Sequence, residues 1–330
     1  MLRSFLFLLF CGLTNCCEQS PTVPLSVGIG ITGDPADVQT STQSGILLMG
    51  GSTDVDEALK WMIERSGGGD FVIIRASGST GYNDYIKELG NINSVETLLI
   101  DSREKANLAE TRDKIRNAEA LFIAGGDQRS YVKYWTGTEV SEAIKYLIDI
   151  KNVPIGGTSA GCAVLSGYAF DAKTGGANSK DVLANPYDSQ VSISRSFIFL
   201  NVLKNVIADQ HYSQRSRQGR HVVFMARIIK DFGGSSLMGI GVDEKTAVAV
   251  DDDGTTKVFG SSNAYFILSE TSPEQCEEGK KLIWNQNGKA LKVYVRKGSA
   301  TGNPGINLLT KSPLPPDQYW SVLNGELVIK

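Results

Sequence analysis

The chain has 330 residues, of which 41% are hydrophobic, so it can bury the core of one large domain or of a domain with an extension. Its net charge of −3 and its lack of long runs of like charge argue against a nucleic-acid-binding protein. Outside the N-terminal segment the cysteines are Cys162 and Cys276. Two distant cysteines provide neither a disulfide framework nor a metal-ligand spacing, so we expect no metal and no other cofactor.

A basic start and a short apolar run open the chain. Arg3 precedes residues 4–10, which are too few to cross a membrane and are typical of an export signal. The signal, at residues 1–17, ends at Cys16 and Cys17 and resembles a bacterial lipobox, in which a cysteine is lipidated after cleavage. Asn15 departs from the small residue usual there, so a plain secretory signal is the alternative. We predict an exported protein, extracellular or periplasmic, with membrane attachment through a lipidated Cys16 or Cys17 if the lipobox operates.

Beyond a predicted linker at residues 18–43, short apolar runs alternate with amphipathic segments. Glycine-bounded apolar runs predict buried strands, and apolar residues spaced by three and four predict helices. The alternation predicts an α/β fold in which a mainly parallel sheet carries helices on both faces, a three-layer αβα arrangement. The strands are predicted at residues 45–50, 71–74, 95–100, 120–124 and 153–155, and the helices at 53–65, 82–89, 105–117, 130–135 and 139–150.

The C-terminal third has a different pattern. A helix is predicted at residues 222–229, and the acidic turn at 251–254 predicts a hairpin. We therefore divide the chain into a main α/β domain at residues 44–270 and an antiparallel β extension at 271–330, packed on that domain. In the C-terminal third as a whole, strands are predicted at residues 246–250, 256–259, 264–268, 291–295 and 326–329.

Parallel sheets bind ligands at the carboxyl ends of their strands, which here points to glycine turns at residues 125–126 and 156–161. Residues 157–161 read Gly-Thr-Ser-Ala-Gly, the pattern of a nucleophile elbow centred on Ser159. Such a tight turn requires small neighbours, and the N–H of Ala160 at the start of the next helix can stabilise an oxyanion. The short pattern by itself leaves an inert strand–helix turn as the alternative.

A nucleophilic serine needs a general base, usually histidine, and the chain contains only His211 and His221. His221 lies in the apolar stretch at residues 220–225, where packing or surface exposure is the default interpretation. His211 follows the apolar run at residues 202–208, at the end of a predicted strand. Both Ser159 and His211 therefore lie at strand ends and can share one cleft, so we predict His211 as the base.

Three arginines follow the predicted base within six residues, namely Arg215, Arg217 and Arg220. Most runs of charge are solvated loops. Next to a general base, however, guanidinium groups can bind carboxylates through paired hydrogen bonds. Asp209, on the other side of His211, would suit a cationic group of the substrate.

Four motifs, in this order, resemble those of the cyanophycinases and the related aspartyl dipeptidases. They are Gly-Gly-Asp-Gln at residues 125–128, the serine turn at 157–161, Asp-Gln-His-Tyr at 209–212 with the arginines that follow, and Gly-Ile-Gly-Val-Asp-Glu at 239–244. These families are serine exopeptidases with a class I glutamine-amidotransferase-like, flavodoxin-like α/β fold. The arginine run is closest to the cyanophycinase branch. Members often form dimers, so the resemblance also implies a homodimer.

The resemblance implies roles for individual residues. It makes Ser159 the nucleophile, His211 the base, and Gly126 the second oxyanion donor beside Ala160. The substrate pocket is then lined by Gln128, Asp209, Gln210, Arg215, Arg217 and Arg220.

The position of the third catalytic residue, an acid, cannot be transferred directly from the family to this sequence. The family places an acid some way beyond the serine, and residues 167–185 offer Asp171 and Asp181 but no glutamate. We predict Asp171 as the acid that orients the base. Cys162 lies within the predicted helix rather than at the turn, which favours packing over a nucleophilic role.

The sequence therefore predicts a metal-independent serine exopeptidase. By resemblance its substrate is cyanophycin, a polyaspartate with arginine on each side-chain carboxyl, released as β-Asp-Arg dipeptides. One alternative is an aspartyl or β-aspartyl dipeptidase or isopeptidase of other specificity. The other is a non-catalytic binding lipoprotein that uses the same fold as a scaffold.

Overall fold

The computed structural model describes residues 25–234, 236–311 and 315–330; the predicted export signal, with Cys16 and Cys17, lies outside them. In chain order the strands are β1 (Gly28–Gly33), β2 (Gly45–Met49), β3 (Asp70–Arg75), β4 (Ser94–Leu99), β5 (Ala120–Ile123), β6 (Pro154–Thr158), β7 (Tyr168–Phe170), β8 (Ile193–Arg195), β9 (Val206–Asp209), β10 (Leu237–Val242), β11 (Thr246–Val250), β12 (Thr256–Gly260), β13 (Asn263–Ser269), β14 (Leu291–Lys297), β15 (Asn303–Pro304), β16 (Gln318–Leu323) and β17 (Glu326–Ile329). The α-helices are α1 (Asp56–Arg65), α2 (Tyr82–Leu89), α3 (Arg103–Ala106), α4 (Ala109–Asn117), α5 (Gln128–Trp135), α6 (Glu139–Tyr146), α7 (Ala160–Ala163), α8 (Ser179–Ala184) and α9 (Gln218–Phe232).

The first sheet has the order β1-β4-β3-β5-β6-β2-β11-β12-β15. Its five central strands, β4, β3, β5, β6 and β2, are parallel to one another. Side chains alternate between the two faces of these strands. In β2, Leu47 and Met49 pack with apolar residues of α1 and α2, whereas Ile46 and Leu48 belong to the cluster on the opposite face.

The second sheet has the order β17-β16-β14-β13-β10-β9-β7-β8. Strand β9 is parallel to β7 and β10, and strands β13, β14, β16 and β17 are added antiparallel. Val206 and Ala208 of β9 share a buried cluster with Leu48 of the first sheet. Ile207, on the opposite face of β9, packs against α9. One hydrophobic core therefore joins the two sheets, and a second one lies under α9.

The predicted mixed α/β class is confirmed, and the strands predicted as parallel form the centre of one sheet. Strands β7, β9 and β10 do not join this sheet but belong to a second one, which the sequence did not predict. The predicted boundary at residue 270 falls between the paired strands β13 and β14, so β14, β16 and β17 extend that second sheet, whereas β15 is an edge strand of the first sheet. An apolar run indicates that a strand forms, whereas its partner strand depends on distant residues.

Two smaller differences concern the predicted linker and the helices. The linker at residues 18–43 contains β1, a glycine-rich edge strand paired antiparallel with β4. The helix predicted at residues 105–117 is divided into α3 and α4, and α8 has no counterpart among the predicted helices. No helix in the described ranges combines the length and apolar character needed to cross a membrane.

Candidate active site

The turn between β6 and α7 places Ser159 at its apex. Ser159 has φ 53° and ψ −115°, a strained conformation for a residue other than glycine. Its backbone N–H donates a hydrogen bond of 3.0 Å to the Met49 carbonyl. A Cβ atom on Gly157 would lie 2.6 Å from the Gly161 carbonyl carbon, and one on Gly161 would lie 2.0 Å from the Ile123 carbonyl oxygen. Close backbone packing therefore requires both glycines of the predicted elbow.

Two backbone positions beside Ser159 match the predicted oxyanion donors. Ala160 is the first residue of α7, where an amide N–H has no acceptor within the helix. The turn after β5 passes close to the serine, since a Cβ atom on Gly125 would lie 3.5 Å from the Ser159 Cβ. Gly126 lines the same cleft as Ser159. The oxyanion roles of Ala160 and Gly126 stay predictions.

His211 follows β9 and lies next to Ser159, although the two belong to different sheets. The Nε2 atom of His211 is 2.8 Å from the Ser159 Oγ. The backbone N–H of His211 donates a hydrogen bond of 2.9 Å to the carbonyl of Gly50, which follows β2 in the first sheet. A Cβ atom on Gly51 would lie 2.7 Å from Nε2 and 3.0 Å from the Ser159 Cβ. The Gly50–Gly51 turn thus leaves room for the serine–histidine contact.

The carboxylate that contacts the base is Glu244, so the prediction of Asp171 as the orienting acid is wrong. Glu244 Oε1 lies 2.7 Å from His211 Nδ1. Strands β9 and β10 are parallel neighbours, with Gly241 in register with Asp209, so the residues that follow them reach the same edge of the sheet. With the Nδ1 proton donated to Glu244, His211 Nε2 is free to accept the Ser159 hydroxyl proton.

Asp171 has a different set of contacts. Its Oδ1 accepts a hydrogen bond of 2.5 Å from the Ser192 hydroxyl, and its Oδ2 forms an ion pair of 2.9 Å with Lys173. Burial opposes ionisation of Asp171, but these contacts outweigh it and hold its pKa below the usual value. Asp171 therefore fixes its own loop, which continues into the wall of the cleft at Ala172.

The protonation states suit a base at neutral pH. Burial lowers the pKa of His211, and the nearby Arg215 and Arg217 lower it further, against the opposing effect of Glu244. The hydrogen bond from His211 lowers the pKa of Glu244. Neutral imidazole and ionised carboxylate are therefore the favoured forms around pH 7.

A cleft of about 310 Å³ opens beside Ser159 and His211. Of the predicted pocket residues, the cleft lining includes Gln128, Gln210, Arg215, Arg217 and Arg220. Gln128 begins α5 and donates a hydrogen bond of 3.4 Å to the Phe170 carbonyl. The cleft also contains residues that sequence reasoning did not assign to it, namely Asp127, Arg129, Phe170, Ala172, Gly175 and Gly176.

Asp209 was predicted to bind a cationic substrate group, and the structure corrects this. Its two oxygens accept hydrogen bonds of 2.6 and 2.8 Å from Arg220, and Arg217 lies 3.4 Å from Oδ1. Burial alone would raise the pKa of Asp209, but Arg220 and Arg217 hold it below its usual value. The buried carboxylate is occupied by the protein's own guanidinium groups. Asp209 therefore positions the arginines that line the cleft.

Comparison with known proteins agrees with this arrangement. The model of peptidase family S51 matches residues 46–258. The chain belongs to this family. It is a serine-type peptidase, and the family predicted from the four motifs is confirmed.

Several relatives of this S51 peptidase are named cyanophycinase. The chain is 28% identical to one from Synechococcus elongatus over 71% of this chain and 72% of that protein. It is 27% identical to one from Trichormus variabilis, over 69% and 74% of the two chains. A solved peptidase from an acI-B1 Actinobacterium covers 69% of this chain and 91% of its own, with 20% identity and a TM-score of 0.48.

The remaining histidine and cysteine of interest in this S51 chain are buried away from solvent. His221 Nε2 lies 3.1 Å from the Ile207 carbonyl oxygen and its Nδ1 3.0 Å from the Tyr212 hydroxyl, so it packs under the second sheet. Cys162 is fully buried in α7, and burial raises the pKa of its thiol. A thiol held in the protonated form is a poor nucleophile, which favours Ser159.

Proposed function

We propose that this S51 peptidase is a cyanophycinase-like exopeptidase that releases β-Asp-Arg dipeptides through an acyl-enzyme on Ser159. One observation carries the proposal: the chain of contacts from Ser159 through His211 to Glu244 opens onto a cleft lined by Arg215, Arg217 and Arg220. The nucleophile and its base supply the chemistry. The guanidinium groups match the α-carboxylates of the attached arginine residues, which are the free carboxylates of this substrate because its aspartyl carboxyls are in amide bonds.

In the proposed mechanism, His211 Nε2 takes the proton of the Ser159 hydroxyl as Oγ attacks an amide carbonyl carbon. Glu244 stabilises the imidazolium that results. The N–H groups of Ala160 and Gly126 bind the oxyanion. His211 then gives its proton to the leaving amine, and a water molecule, activated by the same histidine, hydrolyses the acyl-enzyme.

Two features support the cyanophycin substrate. Relatives at 26–28% identity are named for this activity, and the match spans about 70% of each chain. The cleft has four arginines in its lining and so favours a substrate with free carboxylates, which in cyanophycin are those of the attached arginine residues. We also propose the glutamine-amidotransferase-like fold of the family for the parallel part of the first sheet.

The test is the Ser159→Ala variant, assayed for β-Asp-Arg release from cyanophycin by liquid chromatography and mass spectrometry. We expect activity to fall by at least about 10³-fold, because the nucleophile is removed. Ser272→Ala, at an exposed serine in the C-terminal part, is the matched control and should retain activity. Undiminished release by Ser159→Ala would refute the assignment.

A second candidate keeps the mechanism and changes the substrate. The cleft volume of about 310 Å³ lies at the small end of ligand sites and would fit an aspartyl or β-aspartyl dipeptide. Comparing kcat/KM for cyanophycin with kcat/KM for Asp-X and β-Asp-X dipeptides separates the two. A preference for the free dipeptides would favour the dipeptidase.

Export is proposed from the first 17 residues alone. Expression of the full chain in a bacterial host should yield processed protein outside the cytoplasm, and deletion of residues 2–17 should leave it inside. Metabolic labelling with a radioactive fatty acid tests whether a lipid is attached to the protein. Cys16→Ser and Cys17→Ser variants then identify the attachment site, and a processed but unlabelled protein would indicate a plain secretory signal.

A further inference from the structure

The cleft beside Ser159 has a strong imbalance of charge. Its described lining contains four arginines, Arg129, Arg215, Arg217 and Arg220, but only one acidic residue, Asp127. A substrate that carries both carboxylate and guanidinium groups needs an acceptor for its cations as well as donors for its anions. The acceptor predicted from the sequence, Asp209, is buried and bound by Arg220 and Arg217.

Asp127, unlike Asp209, is an exposed carboxylate in the lining of the cleft. It follows Gly126 in the turn after β5 and lines the cleft, and its side chain is 46% exposed. Its Oδ1 caps helix α5 by accepting a hydrogen bond of 2.9 Å from the backbone N–H of Arg129. This bond fixes the carboxylate on the helix. The second oxygen, Oδ2, is left to interact with other groups.

A guanidinium group already lies at that second oxygen. The Nη2 atom of Arg129 is 3.0 Å from Asp127 Oδ2, and the Arg129 side chain is 55% exposed. Ion pairs between such exposed side chains contribute little to stability and are readily replaced. The Asp127–Arg129 pair therefore shows that this oxygen accepts a guanidinium group and that its present partner can leave.

We propose that Asp127 binds the guanidinium group of the substrate and that Arg129 gives up its place when the substrate enters. The proposal rests on the proposed function, because it supplies the recognition of arginine in an arginine-substituted polyaspartate. Arg215 and Arg217 then contact the α-carboxylate of the substrate arginine, and Asp127 binds the guanidinium group of the same residue. Asp127 acts as a specificity-determining residue of the cleft.

The test compares two substrates that differ only in charge at the side-chain end. A short β-Asp-Arg oligomer carries a guanidinium group, and its citrulline counterpart carries a neutral urea group of nearly the same shape. We expect the wild-type enzyme to prefer the arginine form by about 10–100-fold in kcat/KM, the size expected for a charge-assisted hydrogen bond. Asp127→Asn should reduce this preference to about threefold or less.

Asp127→Asn suits this purpose because asparagine caps helices as well as aspartate does, so α5 is retained. Asp253→Asn is the matched control. Asp253 is exposed and accepts a comparable hydrogen bond of 2.8 Å from the N–H of Thr255, two residues along, but it does not line the cleft. The Asp253→Asn variant should keep the wild-type preference for the arginine oligomer over the citrulline oligomer. Arg129→Gln should lower KM for the arginine oligomer, because a competitor for Oδ2 is removed.

The outcomes separate this inference from the proposed function. Wild-type enzyme that cleaves both oligomers equally well would overturn the role of Asp127 and leave the peptidase assignment intact. A full preference for the arginine oligomer in Asp127→Asn would likewise overturn the role of Asp127 without affecting the peptidase assignment. Wild-type enzyme that cleaves neither oligomer would overturn both proposals.

Discussion

The Ser159 turn and the segment at residues 209–220 meet in one site, yet different forces hold them. The turn is fixed by backbone shape, since Gly157 and Gly161 leave no room for a side chain. The segment is fixed by charge, since Asp209 binds Arg220 and Arg217 and Glu244 binds His211. Substitutions in the turn should therefore act through steric clashes. Substitutions in the segment should act through unpaired charges and shifted protonation.

The largest effect on catalysis is expected on the charged side of the site. Glu244→Gln should lower kcat/KM by about 10³-fold, because an amide can neither hold the required His211 tautomer nor stabilise the imidazolium. Asp171→Asn is the matched control and should stay within about fivefold of the wild-type value. Steady-state kinetics with a β-Asp-Arg substrate measure both variants. The reverse order of effects would restore Asp171 as the orienting acid.

The buried ion pair should matter most for stability. Arg220→Met leaves Asp209 buried without its main partner and should lower the free energy of unfolding by about 3–5 kcal/mol. Arg215→Met should cost less than about 1 kcal/mol, because the Arg215 side chain is 53% exposed and lies 4.0 Å from Glu244. Denaturant titration followed by circular dichroism gives both values. Equal losses of unfolding free energy in the two variants would contradict the claim that the buried ion pair of Arg220 contributes more to stability than the exposed Arg215.

A steric test addresses the turn. Gly161→Ala would press a methyl group against the Ile123 carbonyl, and we expect a loss of about 2–3 kcal/mol in unfolding free energy together with lower activity. Gly81→Ala is the control, because it has an ordinary φ of −57° and its added Cβ would meet only the Ser79 hydroxyl at 4.0 Å. Unchanged stability and activity in Gly161→Ala would contradict the claim that the turn has no room for a side chain at this position.

The smallest expected effect is a shift along the pH axis. Because the pKa of His211 is lowered, the imidazole stays neutral below the usual histidine pKa of about 6.5, and kcat/KM should fall only below that pH. Arg215→Gln removes a neighbouring positive charge, so the midpoint of the acidic limb should move to higher pH. A midpoint above 6.5 in the wild-type enzyme would contradict a lowered pKa of His211.

The local features of the site could be predicted from the sequence. The elbow at Ser159 has its signature within five residues, and His211 could be chosen because the chain has only one other histidine. The parallel strands β2 to β6 were predicted because each is a short apolar run between glycine or polar turns. These predictions needed no knowledge of which segments pair.

The features that depend on pairing were missed. Glu244 comes 33 residues after His211 and reaches it only because β9 and β10 are parallel neighbours. A signal for it existed, since Glu244 ends the fourth family motif directly after an apolar run. Asp209 was expected to face the substrate because its sequence position does not reveal that Arg220, on helix α9, folds back onto it.

The second sheet was missed for the same reason. Strand β9 appears in the sequence as another apolar run, and nothing local indicates that it pairs with β10 and β7 rather than with the central parallel strands. Strand β1 is a glycine-rich edge strand with alternately exposed residues, so it lacks the apolar face that identifies buried strands.

The most direct test of the central claim is covalent labelling with a fluorophosphonate, which reacts with serines that a general base activates. We predict one adduct per chain, located by peptide mass spectrometry at Ser159. His211→Gln should abolish labelling, whereas His221→Gln, checked for folding by circular dichroism, should be labelled like the wild type. Labelling at another residue, or labelling that persists in His211→Gln, would contradict the assignment of Ser159 and His211 as nucleophile and base.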